Sequence, residues 1–265
     1  MILPWHVDVP QERLPFGNWL IIAIILVVFV WQSPQIADRN NTIKKITAQK
    51  SFLTQQDIDD IKSIKEPYDD YKLYGFSGKG IFTHIWLHAD LLHLLGNLLF
   101  LWIFGNAVCA KIGNILYVLI YIILGMFAGV VYLIFSDTPM LGASGAITGI
   151  VGMYLVFFPT NAITCYLLWI KFESRGYVMI LLWFLFDIFG AVRGGGNIAY
   201  FAHIGGFAAG FAFAVVLLKM KFITMTKYEK SLLEVFASSR SYHKPKVSLW
   251  NRSAVFDSSQ RPKKQ

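Results

Sequence analysis

Charge is scarce in this sequence. Charged residues make up 15% of its 265 positions, against about 25% in an average soluble domain. Hydrophobic residues reach 55%, above the usual 45–50% or so. Intrinsic disorder, a fibrous repeat and an ordinary soluble enzyme are excluded on that ground. Cysteine is nearly missing: Cys109 and Cys165 are the only two, too few for a disulfide framework, and we read both as free thiols. No internal repeat is found. Acidic residues run short in one place only. Residues 1–218 hold 13 Lys and Arg against 13 Asp and Glu, whereas residues 219–265 hold 11 basic against 3 acidic residues. The net charge of +8 is therefore a property of the last 47 residues. Confined to a tail on a neutral, apolar body, it gives no reason to expect a nucleic-acid partner.

What is abundant is apolar sequence in runs. A membrane-spanning helix needs about 20 mostly apolar residues, and six segments are candidates: residues 16–32, 90–110, 114–135, 144–158, 176–192 and 200–220. The fourth and fifth are short. The first run leaves through Trp31, Gln32, Ser33 and Pro34, a poor cleavage site, so it reads as a retained helix with Trp at both interfaces. The expected fold class is all-α, a polytopic membrane protein. Its organisation is an N-terminal segment (1–15), a six-helix membrane domain (16–220) with a long polar first loop (33–89), and a basic, partly disordered tail (221–265). Within the loop, residues 54–65 form a small surface helix with Thr54 as N-cap. Residues 159–175 contain a short interfacial strand, and a second short helix covers residues 226–237. Gly194, Gly195 and Gly196 make the last connection flexible.

Isolated polar side chains in such helices need individual explanations. The second helix carries His93 and Asn97, the fourth opens with Ser144, and the sixth carries His203. Helices two, four and six all start on the side of the long loop. Topology alone therefore gathers these groups into one shallow layer, at about 1.5 Å of depth per residue. His93 and Asn97 share a helix face at i and i+4. Gly145 and Gly149, and Gly206 and Gly210, are small-xxx-small pairs that let helices four and six approach closely. That approach brings Ser144 toward His203, a hydroxyl toward a base of suitable pKa. The helix start at Ser144 also offers free N–H groups to an oxyanion. Taken singly, each feature has a plainer reading: Ser144 as a cap, His or Asn as packing glue, glycine pairs as common membrane spacing. Their coincidence in one layer favours the chemical one.

His84 and His88 are also spaced i and i+4, with His93 following, but no Glu or Cys completes a ligand set, so no metal is expected. Asp187 either orients His203 or sits at the membrane interface, and the interface reading is preferred. The cysteines fall at the face opposite the polar layer.

Together, Thr83-His84, His88, His93-x-x-x-Asn97, Gly142-Ala143-Ser144-Gly145 and Ala202-His203-x-x-Gly206-x-x-x-Gly210 resemble the rhomboid family of intramembrane serine proteases, over about residues 80–220. The resemblance implies a six-helix fold without cofactor. Ser144 would be the nucleophile and His203 the base of a dyad lacking an Asp. His93, Asn97 and the Ser144 N–H would form the oxyanion hole. It also implies transmembrane-protein substrates entering between helices two and five, past Trp183, Phe184 and Phe186. The reactive layer would face the exterior, with both termini cytoplasmic, in a cell (inner) membrane. Charges near the membrane ends number nine basic residues on the inner side against seven on the outer, a margin that does not decide orientation. Many members carry Trp-Arg where this chain has Lys79-Gly80, which alters how the loop is anchored. The alternatives are a non-catalytic relative that binds and escorts membrane helices, and a small transporter using His93, Asn97 and Asp187. The tail is either solvated or a polybasic contact with anionic lipid, anchored by Trp250.

Overall fold

A computed structural model describes residues 2–48, 53–64, 68–193, 199–226 and 229–241. Glycines 194–196 and most of the basic tail, with Trp250, lie outside the described residues. Among the described residues, five helices are long and apolar enough to cross a membrane. They are α1 (Phe16–Ala48), a continuous helix made of α4 (Leu91–Phe100), a π turn (Leu101–Gly105) and α5 (Asn106–Ile112), then α6 (Asn114–Phe135), α8 (Gly176–Arg193) and α9 (Tyr200–Lys219). The sixth apolar helix, α7 (Ser144–Phe157), has 14 residues and lies at the centre of the bundle: every residue from Gly149 to Phe157 is buried.

Glycine sets the distance between α7 and α9. A Cβ on Gly206 or Gly210 would overlap the carbonyl oxygen of Gly145 or Gly149 respectively, and one on Gly149 would lie 3.0 Å from Gly206 O. Gly152 faces Phe207 O in the same way. The two backbones touch directly, so the register of Ser144 against His203 has little freedom. On the other side of α7, Gly145 faces Ala128 of α6 and Gly125 of α6 faces Ala146.

The π turn has a specific cause. Asn18 of α1, fully buried, donates to the carbonyl of Leu101 (2.8 Å) and to Asn106 Oδ1 (2.8 Å), and accepts from the Tyr117 hydroxyl (2.7 Å). A carbonyl released from the α-helical ladder is thus satisfied by a side chain. Gly105 makes room for it, since a Cβ there would lie 2.5 Å from Asn18 Oδ1.

The first loop is more ordered than its polarity suggests. Helix α1 continues past residue 32, through Pro34, to Ala48. Thr54 caps α2 (Gln55–Ser63) in a full capping box with Asp57. Ser77 caps α3 (Gly78–Thr83). At the other end of the bundle a three-stranded antiparallel sheet joins β1 (Ile2–Val7), β2 (Ala162–Leu167) and β3 (Ile170–Arg175) in the order β1-β2-β3. The N-terminal segment thus supplies a strand to the hairpin between α7 and α8. Cys165 of β2 is buried there, which pushes its thiol up to about 11. Helix α10 (Leu232–Ser241) starts six residues later than the sequence implied. Near it, the buried ammonium of Lys111 pairs with Glu12 (2.5 Å) and Glu229 (2.6 Å), tying both terminal segments to the end of α5.

Two predictions follow from this packing. Gly210→Val should cost at least about 2 kcal/mol of stability by overpacking. Gly96→Ala, which meets nothing within 4 Å, should cost none; unfolding in mixed micelles measures both. The second concerns Glu229. Burial alone would raise its carboxyl, but hydrogen bonds from Lys111 and the Thr226 N–H outweigh that and hold it below its ordinary value of 4.5. A carboxylate so depressed contributes stability above that ordinary value and loses it as pH falls below it. Melting temperatures should therefore drop in that acid range for the natural chain, and Glu229→Gln should lower the neutral-pH value and flatten the acid limb.

Candidate active site

Ser144 is the first residue of α7, and its side chain makes no capping bond. Its hydroxyl instead lies 2.8 Å from Nε2 of His203, in the first turn of α9. The remaining ring nitrogen, Nδ1, lies 3.1 Å from Asp187 Oδ1 on α8. Helix α8 thus brings to His203 a carboxylate for which the sequence reading preferred the membrane interface over this role. The first intrahelical bond of α7 runs from Ile147 N to Ala143 O. The N–H groups of Ser144, Gly145 and Ala146 precede it and point out of the helix start, where the dipole favours negative charge.

Helix α4 supplies the other wall. Asp90 caps it through the backbone N–H of His93 (2.8 Å), which fixes where the helix begins. Asn97, one turn further on, is buried, and among the described residues its amide nitrogen has no hydrogen-bond partner. A buried amide N–H without an acceptor is costly, and such a group is available to an oxygen of a bound molecule. The ring of His93 packs against Gly142, where a Cβ would lie 2.9 Å from Cε1 and 3.8 Å from the Ser144 hydroxyl. Gly142 has φ +127°, a backbone region that L side chains rarely adopt. It therefore holds the strand before Ser144 next to His93 on two grounds, conformation and space.

That strand is fastened by the first loop. Met140 and Leu73 exchange both backbone hydrogen bonds (2.8 and 2.9 Å), and Gly142 N donates to His84 O (2.9 Å). His84 is buried, donates from Nδ1 to Gly80 O (2.8 Å) and rests on Gly129. Burial lowers its pKa, partly opposed by bonds to the backbone of Gly80 and Ile81. His88 is fully buried beside His93, with ring centroids 5.2 Å apart. Burial, and then the neighbouring His93, lower it to about 3, so it is neutral at physiological pH. His84 and His88 are thus committed to the loop's packing. No group of three metal-ligating side chains occurs among the described residues.

The Lys79-Gly80 pair also has a structural role. The Lys79 ammonium lies over the Tyr71 ring at 3.8 Å, and Tyr71 meets Trp31 of α1 edge-on. A Cβ on Gly80 would lie 2.7 Å from Lys72 O, so the tight return of the loop requires glycine here. Sequence reasoning offered Asp187 as a partner of His203 but preferred the interface, and it missed Gly142 as a conformational requirement. The first is visible as a carboxylate on the site side of an apolar helix, the second as a glycine two residues before a serine.

Residues 77–220 match the Rhomboid domain family. Rhomboid protease GlpG of Klebsiella pneumoniae (strain 342) is 30% identical over 226 residues, covering 80% of this chain and 67% of that protein. RHOMBOID-like protein 1 of Arabidopsis thaliana is 30% identical over 178 residues, 66% of this chain and 44% of the relative. Rhomboid protease GluP of Bacillus subtilis (strain 168) is 34% identical over 137 residues, 52% of this chain and 25% of the relative. The chain thus spans less than half the length of several of these relatives.

Gly142→Ala should displace the strand or the His93 ring without touching Ser144 itself. The rate at which a fluorophosphonate labels Ser144 should fall by roughly tenfold or more, since misplacement of about 1 Å has effects of that order.

Proposed function

The chain belongs to the rhomboid family, and from that premise we propose that it is an intramembrane serine endopeptidase. It would cleave peptide bonds in or next to the transmembrane helices of membrane-protein substrates. The observation that carries the reading is the 2.8 Å contact between Ser144 Oγ and His203 Nε2 within a layer of membrane helices. A serine hydroxyl is a weak nucleophile unless a base adjoins it, and few other uses require that pairing at a helix N-terminus.

In the proposed reaction His203 Nε2 takes the Oγ proton as Oγ bonds to the scissile carbonyl carbon. The resulting oxyanion is met by the Ser144 N–H, the unpartnered Asn97 amide and His93. Collapse breaks the C–N bond, and His203 returns the proton to the departing amine. Water, deprotonated by His203, then attacks the acyl-enzyme and releases Ser144. An intact substrate helix hides its carbonyl groups, so segments rich in Gly, Ala or Pro are the expected substrates.

Entry between α4 and α8 is supported by what fills that seam. The Trp183 ring lies against Phe100 and Phe104, with ring centroids 5.4 and 6.0 Å away. These contacts are aromatic and apolar, of a kind that a substrate's apolar side chains can replace. The proposed setting is a cell (inner) membrane with the site facing the exterior and both termini cytoplasmic. Arg13, Lys111, Lys171, Arg175 and Lys219, all at the end of the bundle away from the site, support it. Contact of the basic tail with anionic lipid belongs to the same proposal.

The test is cleavage of a membrane-helix reporter in proteoliposomes, with fluorophosphonate labelling alongside. The natural chain should cleave and be labelled, and Ser144→Ala and His203→Ala should do neither. Asn97→Ala should retain labelling but lose about 2.7–4 kcal/mol of transition-state stabilisation. A well-folded natural chain that neither cleaves nor labels would overturn the reading in favour of a helix-binding escort.

A further inference from the structure

Among the described residues, Asp187 is the carboxylate paired with His203. It stands at position 12 of the 18-residue helix α8, and its neighbours one turn back, Trp183 and Phe184, are aromatic. Its Oδ1 lies 3.1 Å from Nδ1, while Nε2 of the same ring lies 2.8 Å from the serine hydroxyl. The Asp187 and His203 side chains are largely shielded, at 22% and 14% exposure. A carboxylate at the bilayer interface would turn to water. This one turns inward, onto an imidazole that already holds Ser144.

A neutral imidazole carries one N–H, and the group at its other nitrogen decides which. An ionised carboxylate only accepts. Opposite Asp187, Nδ1 must therefore carry the proton, which leaves the Nε2 lone pair for the Ser144 O–H. With no acceptor at Nδ1, the ring is free to protonate Nε2 instead, and that tautomer cannot take the serine proton. We propose that Asp187 is a positioning residue, fixing the tautomer and plane of His203 so that the site works as a Ser144–His203–Asp187 triad. Asp187 touches no substrate atom and takes up no proton. The Nδ1 proton stays on the ring throughout, and the proton in transit moves only between Oγ, Nε2 and the leaving amine. The inference rests on the proposed protease reading and adds a third residue to the expected dyad.

Other contacts of α8 set how that placement is maintained. Its buried residues are Gly176, Met179 and Ile180, all near its start. Beyond them α8 is held to α9 by the Phe184–Phe207 stack, by Gly190 against the Tyr200 ring and by Asp187 itself. The triad is complete only while this half of α8 lies against α9.

The test compares the natural chain with Asp187→Asn and Asp187→Glu in proteoliposomes. The Asn side chain can present an N–H to Nδ1 and so favours the wrong tautomer. Its kcat should fall about a hundredfold or more with KM within about threefold, and Asp187→Glu should recover a substantial part. Nitrogen-15 NMR of histidine-labelled protein, at a pH where the ring is neutral, reads the tautomer without any substrate. The His203 signal, identified by its loss in His203→Ala, should show a protonated Nδ1 in the natural chain and a protonated Nε2 in Asp187→Asn. An Asp187→Asn enzyme with kcat within twofold of the natural chain, or an unchanged tautomer, would overturn the inference. Absence of cleavage by the natural chain would instead count against the protease reading and leave the tautomer measurement to decide the role of Asp187.

Discussion

The direct contact of two backbones, α7 against α9, is the constraint on which the rest of the structure depends. Inside a bilayer, helices gain no hydrophobic free energy by associating, because lipid is as apolar as their side chains. What remains is close packing, and here it is carried to the point where the carbonyl groups of Gly145 and Gly149 occupy the space where Gly206 and Gly210 would carry Cβ atoms. Ser144 immediately precedes the first of these contacts and His203 lies three residues before Gly206. The distance between hydroxyl and imidazole is thus a consequence of where four glycines fall, and the site inherits the rigidity of the contact.

A second layer of constraint comes from outside the membrane helices. The Leu73–Met140 bridge and the bond from Gly142 N to His84 O fix the strand that leads into α7. His84 can hold that strand only because Gly129 leaves room for its ring and Gly80 supplies a carbonyl to its Nδ1. The polar first loop therefore acts as a brace. It presses Gly142 against His93 and so sets the spacing between the wall built by α4 and the serine on α7.

The apolar runs and the i, i+4 spacings made much of this legible from sequence. Membrane helices, the central short helix and the layer shared by His93, Asn97, Ser144 and His203 all follow from hydrophobic length and the alternation of direction at each crossing. Gly145, Gly149, Gly206 and Gly210 were legible as a packing pair because their four-residue spacing puts each pair on one face. What escaped depends on contacts between elements far apart in the chain. Asn18 turns part of a regular helix into a π turn 83 residues away. β1 needs a strand from residues 162–167 before it is a strand at all. Asp187 reads as an interfacial charge until the rotation of α8 about its axis is known, and that rotation is set by Phe184 stacking on Phe207. Helix α1 outruns its apolar segment because nothing between Pro34 and Ala48 forces it to stop: a proline costs a helix its local hydrogen bond but does not always end it.

The shortness of α7 connects fold to chemistry. At 14 residues and 1.5 Å per residue it spans about 21 Å, less than the roughly 30 Å hydrocarbon thickness of a bilayer. A helix that short, enclosed by longer ones, has at least one end below the membrane surface. At its start the polar groups of α4, α8 and α9 gather; at its far end Phe157 and Phe158 are wholly buried. The proposed hydrolysis requires water to reach the start of α7, where helix ends and the first loop surround Ser144. A carboxylate is tolerable there because His203 pairs with one of its oxygens and its side chain keeps 22% exposure. Set at mid-helix in lipid, the same carboxylate would cost a few kcal/mol. The short α7 thus sets how deep Ser144 lies, and α8 against α9 sets the carboxylate that faces His203 there.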